Sequence, residues 1–141
     1  MDRIAIVTRQ VVRFYEELWN RPDPSMVVEL LHPEVTVRGS LGDDCVGRDE
    51  FAGYVVAVTD ALGDYRCDVV QLVADPERVA ARMTFSGLHR GTFLGVEPTG
   101  VRLSWAGAAF FTFDGDLIRD VWVLGDLDGL RAQLADAARP G

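Results

Sequence analysis

The chain has 141 residues, of which 48% are hydrophobic and 26% are charged, a composition typical of a folded domain rather than a disordered chain. Its net charge of −8 argues against nucleic acids and anionic membranes as partners, because both are bound through basic surfaces. Two cysteines and two histidines are too few for a zinc cage or a disulfide framework. The sequence therefore predicts one domain over residues 1–141, with no metal ion.

The chain also lacks the patterns of a membrane or secreted protein. No apolar run approaches the roughly 20 residues that a membrane-spanning helix needs. The first residues, Met1-Asp2-Arg3, do not resemble a secretion signal. We therefore expect a cytoplasmic protein that acts on neither nucleic acid nor membrane.

Apolar spacing predicts three helices in the first part of the chain. A stripe of residues three and four positions apart predicts a helix over about residues 3–19, made of Ile4, Val7, Val11, Phe14 and Leu18. Asp23-Pro24 opens a short second helix to about residue 31, and a third helix runs from Phe51 to Leu62. Between the second and third helices, residues 34–39 are predicted to be extended and residues 40–47 to form a polar turn.

From Tyr65 onward the hydrophobic period changes from a helical one to two. This alternation predicts strands over residues 65–73, 78–90, 101–113 and 117–126, followed by a short amphipathic helix. Helices first and a long antiparallel run afterwards predict an α+β fold. In this fold the helices pack on one face of a curved sheet.

Alternation also assigns ionisable residues to the apolar face of that sheet. In the second of these strands His89 shares a face with Met83 and Phe85, and in the last strand Asp120 and Asp126 share a face with Trp122. A carboxylate among apolar neighbours has a raised pKa, which suits a general acid or base near neutral pH. His89, Asp120 and Asp126 are therefore the candidate catalytic residues.

Each candidate has a structural alternative. Asp120 and Asp126 are six residues apart, about 20 Å along a strand, so at most one of them is the catalytic partner of His89. Asp126 is also placed to cap the last helix, Asp120 to pair with an arginine, and His89 to be a hydrogen-bonded core residue. A single bulge in the last strand would reverse the face of every residue beyond it.

Six aromatic residues are candidates for the lining of a pocket, although each one alone is equally compatible with simple packing. They are Tyr15, Trp19, Tyr54, Phe85, Trp105 and Trp122.

Two motifs resemble those of a known family. Residues 87–100 match the pattern Gly-x-His-x-Gly-x-Phe-x-Gly-x-x-Pro-Thr-Gly, and residues 122–134 match Trp-x-x-x-Asp followed by Gly-Leu-x-x-Gln-Leu. Both patterns resemble the SnoaL-like polyketide cyclases of the nuclear transport factor 2-like superfamily. The resemblance implies a cone of three helices over a strongly bent sheet with an apolar pocket inside, and a homodimer packed through the outer face of the sheet.

The resemblance also implies a chemistry. The characterised cyclases close a ring of a polyketide ester by intramolecular aldol condensation, without a metal or organic cofactor. An aspartate near the end of the last strand is their acid/base, and Asp126 is its counterpart by position, with Asp120 as the competitor. Strand 101–113 contains no His, Asp, Glu or Tyr, so a cyclase that uses a polar residue there would lack it here.

Three functional hypotheses follow from these patterns. The first is a cofactor-independent cyclase or isomerase that acts on a hydrophobic, carbonyl-containing small molecule of secondary metabolism. The second is an epoxide hydrolase or epoxide-opening cyclase, which requires an arginine between two pocket carboxylates. The third is a protein that binds a small molecule without chemistry.

Overall fold

A computed structural model describes residues 2–139 of the chain. The helices are α1 (Arg3–Arg13), continued by a π-helical turn (Phe14–Trp19), then a 3-10 turn (Pro24–Met26) leading into α2 (Val27–Leu30), α3 (Arg48–Ala61) and α4 (Leu127–Ala137). The strands are β1 (Leu31–Arg38), β2 (Asp44–Val46), β3 (Leu62–Ala74), β4 (Arg78–His89), β5 (Arg102–Asp114) and β6 (Leu117–Gly125). The predicted α+β fold is confirmed, and the segment predicted as a polar turn contains the short strand β2.

The first helix begins and packs as its sequence predicts. The Asp2 carboxylate accepts a hydrogen bond of 2.7 Å from the Ala5 N–H, which caps the helix. Val7 and Val11 are fully buried, whereas Ile4, the first member of the predicted stripe, is 47% exposed. Hydrophobic burial along this stripe places α1 and its π-helical turn against the sheet.

The six strands form one curved mixed sheet in the order β2-β1-β6-β5-β4-β3. All neighbouring strands are antiparallel except β1 and β6, which are parallel. The sheet is open, with β2 and β3 at its edges, and is not a closed barrel. No helix within residues 2–139 is long and apolar enough to cross a membrane.

The faces predicted for β4 and β5 are confirmed. In β4 every second residue from Val79 to His89 is buried, and in β5 the buried positions alternate from Leu103 to Phe113 apart from half-buried Gly107. These buried side chains lie beneath the helices and form much of the hydrophobic core.

A bulge in β6 overturns the predicted face of the last strand. Phe113 pairs with Ile118 and Thr112 pairs with Asp120, which leaves Arg119 without a partner on β5. One extra residue on one strand reverses the inward and outward sides of every residue that follows.

The residues beyond the bulge lie on the opposite faces of the sheet from those predicted. Val121 and Val123 face the core and are 1% and 6% exposed, whereas Trp122 and Leu124 are 41% and 52% exposed on the outer face. Asp120 also leaves the interior, where its carboxylate was predicted to lie.

Asn20 joins the end of the π-helical turn to the edge strand β3. Its amide nitrogen donates to the Cys67 carbonyl at 3.0 Å, and its amide oxygen accepts the Cys67 N–H at 2.7 Å. Because β3 has a strand neighbour on one side only, these two backbone groups depend on Asn20 for their partners.

We expect Asn20→Ala to lower the free energy of unfolding by about 1–3 kcal/mol, because it leaves two partly buried backbone groups without partners. Urea denaturation followed by circular dichroism measures this loss. Gln133→Ala is the matched control, since Gln133 makes the same pair of bonds to the backbone of Ser104 at an exposed position, where water replaces them. Equal losses in the two variants would contradict the role of burial.

Candidate functional site

A small apolar cavity lies between the helices and the covered face of the sheet. Its lining comprises Phe14, Tyr15, Trp19, Val37, Gly39, Ser40, Phe51, Tyr54, Tyr65, Cys67, Phe85, Val121 and Val123. The space that the centre of a water molecule can occupy is about 20 Å³, enough for about one water. A larger ligand therefore requires a lining side chain to move.

The polar groups of the cavity are neutral. Burial raises the pKa values of the Tyr15, Tyr54 and Tyr65 hydroxyls and of the Cys67 thiol, because desolvation disfavours their anions. The Tyr65 hydroxyl and the Cys67 thiol lie close enough for each to influence the pKa of the other, and Ser40 lies beside Tyr65. At neutral pH these groups act as hydrogen-bond donors and not as bases.

The Tyr15 hydroxyl has no hydrogen-bond partner, although it is fully buried. The π-helical turn brings this residue into the cavity, where its ring packs edge-on against Phe14 and Phe111. The only other described side chain with a buried, unpartnered polar atom is Trp105, at its Nε1. A buried donor without a partner is uncommon in folded proteins, and it identifies the Tyr15 end of the cavity as a place for an acceptor.

The structure brings together four of the six aromatic residues that the sequence predicts to line a pocket. Tyr15, Trp19, Tyr54 and Phe85 all line the cavity. Trp105 packs behind them, with its ring centroid 5.7 Å from that of Phe85.

Trp122 is not part of this group, because the bulge turns it to the outer face. There its ring lies 5.9 Å from that of Phe110, and the Arg38 guanidinium lies over it at 5.3 Å. The predicted contact between Trp122 and a ligand in the interior is therefore not what the structure shows.

His89 is fully buried but lies outside the cavity lining. The Thr99 N–H points at Nδ1 at 3.3 Å, so Nδ1 is the acceptor and Nε2 carries the proton that it shares with the Val96 carbonyl at 3.2 Å. The Thr99 hydroxyl also contacts Nδ1 at 2.9 Å. Both ring nitrogens therefore hold the loop after β4 in place. His89 is thus the hydrogen-bonded core histidine of the structural alternative.

Asp126 is exposed and caps α4, because its carboxylate accepts the Gly129 N–H at 2.9 Å. Asp120 is half-buried on the outer side of β6, where its carboxylate accepts a hydrogen bond of 2.5 Å from the Thr36 hydroxyl instead of pairing with an arginine. Neither aspartate lines the cavity, and neither shares it with His89. The predicted imidazole–carboxylate pair facing one ligand is therefore not present.

Sequence reasoning missed three polar residues that the structure places in the cavity: Ser40, Tyr65 and Cys67. Tyr65 and Cys67 were detectable, since they occupy alternate positions at the start of the first predicted long strand and so share one face. Ser40 gave no signal, because it lies in a polar segment whose path depends on tertiary contacts.

The cavity lining contains no carboxylate, imidazole or guanidinium group among the residues that the structure describes. The epoxide-opening hypothesis requires an arginine in the pocket, but Arg90 donates to the carbonyls of Thr59 and Asp60, Arg119 donates to that of Glu34, and Arg82 is exposed. From Asp2 to Arg139, no three His, Cys, Asp or Glu side chains are grouped so as to hold a metal ion.

Solved structures resemble this fold over nearly the whole chain. TsrD from Streptomyces laurentii is 28% identical, with 95% of this chain and 97% of that chain covered and a TM-score of 0.82. A candidate SnoaL-like polyketide cyclase from Jannaschia sp. CCS1 is 17% identical (99% and 97% covered, TM-score 0.88). A SnoaL-like polyketide cyclase from Agrobacterium tumefaciens is 22% identical (95% and 98% covered, TM-score 0.74). The latter two likenesses concern the fold alone.

No curated protein sequence matches the chain. The sequence profile of the SnoaL-like polyketide cyclases, in contrast, matches residues 9–134, which include the π-helical turn, all six strands and most of α4. This chain therefore belongs to the SnoaL-like polyketide cyclase family.

Proposed function

We propose that this chain holds a hydrophobic, carbonyl-containing small molecule of the polyketide type in its cavity and promotes its cyclisation or isomerisation without a cofactor, as a cytoplasmic enzyme of secondary metabolism. The observation that carries the proposal is the buried, partnerless Tyr15 hydroxyl in the cavity wall. Leaving such a donor unpaired costs about 1–3 kcal/mol, and a ligand carbonyl oxygen would remove that penalty.

The neutral tyrosine suits the transition state of an intramolecular aldol reaction. In that reaction an enol carbon bonds to a carbonyl carbon, the carbonyl oxygen gains negative charge, and the enol proton ends on that oxygen. A protonated hydroxyl aimed at this oxygen stabilises the developing charge, and its raised pKa keeps it protonated. Polyketide chains enolise readily because their methylene groups lie between two carbonyls, so the protein's main contributions are orientation and oxyanion stabilisation.

The aromatic walls supply the orientation. The rings of Phe14, Trp19 and Phe51 meet at centroid distances of 5.7 and 5.8 Å and form a rigid surface against which a flexible chain can fold. When the protein holds two reacting parts of one molecule in contact, binding energy offsets much of the entropic part of the activation barrier.

We expect Tyr15→Phe to weaken binding of an uncharged aromatic ketone about tenfold, because one hydrogen bond to the ligand is lost. The same variant should be as stable as the parent or more stable, since it removes an unsatisfied buried hydroxyl. Fluorescence titration with prodan, a naphthyl ketone whose emission shifts in apolar surroundings, measures the first effect, and urea denaturation measures the second.

Tyr65→Phe is the matched control for this pair of measurements. Unlike the Tyr15 hydroxyl, the Tyr65 hydroxyl is not a buried polar atom without a partner, so its removal should bring no such gain in stability. Unchanged ketone binding by Tyr15→Phe would remove Tyr15 from the proposed site.

A second candidate function is ligand binding without chemistry. The absence of any carboxylate or imidazole from the described cavity lining favours it, because proton abstraction from a less acidic substrate needs such a base. The two functions differ in what is recovered after incubation with a linear polyketide-type ester. Mass-neutral conversion to a ring product supports the enzyme, and unchanged ester supports the binding protein.

The position of Asp126 makes a separate prediction. We expect Asp126→Asn to preserve stability and ketone binding, because asparagine caps a helix as well as aspartate does. Asp126→Ala should lower the free energy of unfolding by about 0.5–2 kcal/mol through loss of the cap. A fall in turnover of about 100-fold or more in the Asn variant, at unchanged stability, would instead assign Asp126 an acid/base role.

We also propose that the protein forms a homodimer through the outer face of the sheet. Phe110, Trp122 and Leu124 are 50%, 41% and 52% exposed there and form an apolar patch of adjacent side chains. Exposed apolar patches of this kind are typical of interaction surfaces.

We expect Leu124→Arg to shift the sedimentation coefficient from that of a dimer to that of a monomer, because a charge in an apolar interface is desolvated without a partner. Val28→Arg is the control, since Val28 is 62% exposed on α2 and does not belong to this patch. A monomeric parent protein would contradict the dimer.

A further inference from the structure

An apolar groove lies on the surface beside the cavity, between α3, the turn that follows β1 and the loop that follows β4. Its walls include Leu41, Ala57, Ala61, Phe93 and Leu94. The space there that the centre of a water molecule can reach is about 210 Å³, roughly ten times the free space of the cavity.

Tyr54 separates the groove from the cavity, because its side chain lines both. Every other residue of the described cavity lining is buried, and Tyr54 alone is partly exposed. On its inner side its ring lies against Trp19 and Phe51, with centroids 6.0 and 6.2 Å away. Tyr54 is therefore the side chain at which the cavity and this groove meet.

The turn after β1 holds the Tyr54 ring in this closed position. A Cβ atom at Gly39 would overlap the hydroxyl and lie 2.6 Å from Cζ, so glycine leaves the space that the ring occupies. The Leu41 backbone and the Ser40 side chain also lie beside this hydroxyl. All three residues belong to one short turn, so the position of the ring depends on the path of that turn.

The opposite wall of the groove is fixed by His89. Its ring bonds Thr99 and the Val96 carbonyl, and Phe93 and Val96 exchange two backbone hydrogen bonds of 2.9 Å. Leu94, in the tight turn between them, has a left-handed φ of 49°. The family motif thus forms a hydrogen-bonded wall of the groove, opposite the turn that lies beside Tyr54.

We propose that the groove and the cavity are the outer and inner halves of one elongated ligand site, divided by Tyr54. This inference rests on the proposed function, and it narrows the ligand to an uncharged molecule with a carbonyl at the Tyr15 end and an apolar or aromatic tail in the groove. Asp43 at the groove disfavours an anionic tail. Joined by movement of the ring, the two spaces approach the roughly 300 Å³ at the lower end of small-molecule sites.

A second groove also borders the cavity, at Tyr65, but it suits an apolar ligand less well. It is lined by Thr59, Asp60, Asp64 and Arg90, and its only shared residue with the cavity, Tyr65, is 5% exposed. Cys67 lies beside the Tyr65 hydroxyl, and both residues are buried, so no exposed side chain joins this groove to the cavity.

The two grooves can be distinguished by filling each with one large side chain from the same helix. Ala57 lines the proposed groove and Thr59 lines the other, two residues apart on α3. We expect Ala57→Trp to weaken prodan binding about tenfold or more and Thr59→Trp to change it less than about twofold. In stopped-flow mixing, Tyr54→Ala should bind prodan about tenfold faster than the parent, because the dividing ring is gone. Circular dichroism melting of each variant verifies the fold.

The outcomes distinguish failure of the two-part site from failure of the proposed function. If Ala57→Trp binds prodan as the parent does while Tyr15→Phe binds it weakly, the ligand occupies the cavity alone and the two-part site is wrong, although the proposed function stands. If Thr59→Trp is the weaker binder, the route runs past Tyr65 and the two-part site is again wrong. If the parent protein binds no prodan, the cavity is not a ketone site and both proposals fail.

Discussion

The one-residue bulge at Arg119 determines which side chains of β6 face the cavity. It sits opposite the Thr112–Phe113 step of β5, and it is held by the parallel neighbour β1, where the Thr36 hydroxyl donates to the Asp120 carboxylate. Without the extra residue the alternation of β6 would carry Asp120 into the interior and its valines outward. With it, two valines complete the cavity wall and the carboxylate is left at the surface. The chemistry open to the cavity is therefore set by backbone register more than by which residues the strand contains.

The same strand explains how far the sequence could predict the fold and the site. The alternation in β4 and β5 was sufficient, because their outward positions are polar or small except at Leu88 and Phe110, so only one assignment of faces buries most of the large apolar side chains. In β6 both faces are apolar, so hydrophobic burial does not strongly favour either face as the buried one. The pairing of β6 with β1 and β5 determines which face is buried. The π-helical turn is a similar case, since residues three and four apart predict a helix but not the wider turn that buries Phe14, Tyr15, Leu18 and Trp19 together. The sequence thus predicted the secondary-structure elements and four aromatic residues of the cavity well. It predicted poorly which side chains face inward wherever a register shift of one residue determines the buried face.

The motif around His89 shows why a family resemblance fixes a fold more firmly than a mechanism. Its pattern of glycines, histidine, proline and threonine fits a loop that must turn tightly and be anchored from inside, and both imidazole nitrogens are used for that anchor. A histidine with both nitrogens bonded to its own loop has no lone pair or proton to offer a ligand. In the proposed two-part site, His89 contributes through the loop, which presents Phe93 to the groove. This is a positioning role, and fold-level likeness alone could not separate it from a catalytic one.

The neutral interior also limits the reaction itself. A cavity whose polar groups are tyrosine hydroxyls and a thiol with raised pKa values can donate hydrogen bonds at neutral pH but accepts a proton poorly. In the proposed reaction, such a site would stabilise negative charge that develops on an oxygen and would add little to the removal of a weakly acidic proton. Substrates whose carbon acids are already activated by two carbonyls meet this requirement, whereas simple ketones do not. In the proposed site, the partnerless Tyr15 hydroxyl receives that charge. A buried hydroxyl without a hydrogen-bond partner lowers the stability of the fold, and ligand binding gives a reason for this residue to be present.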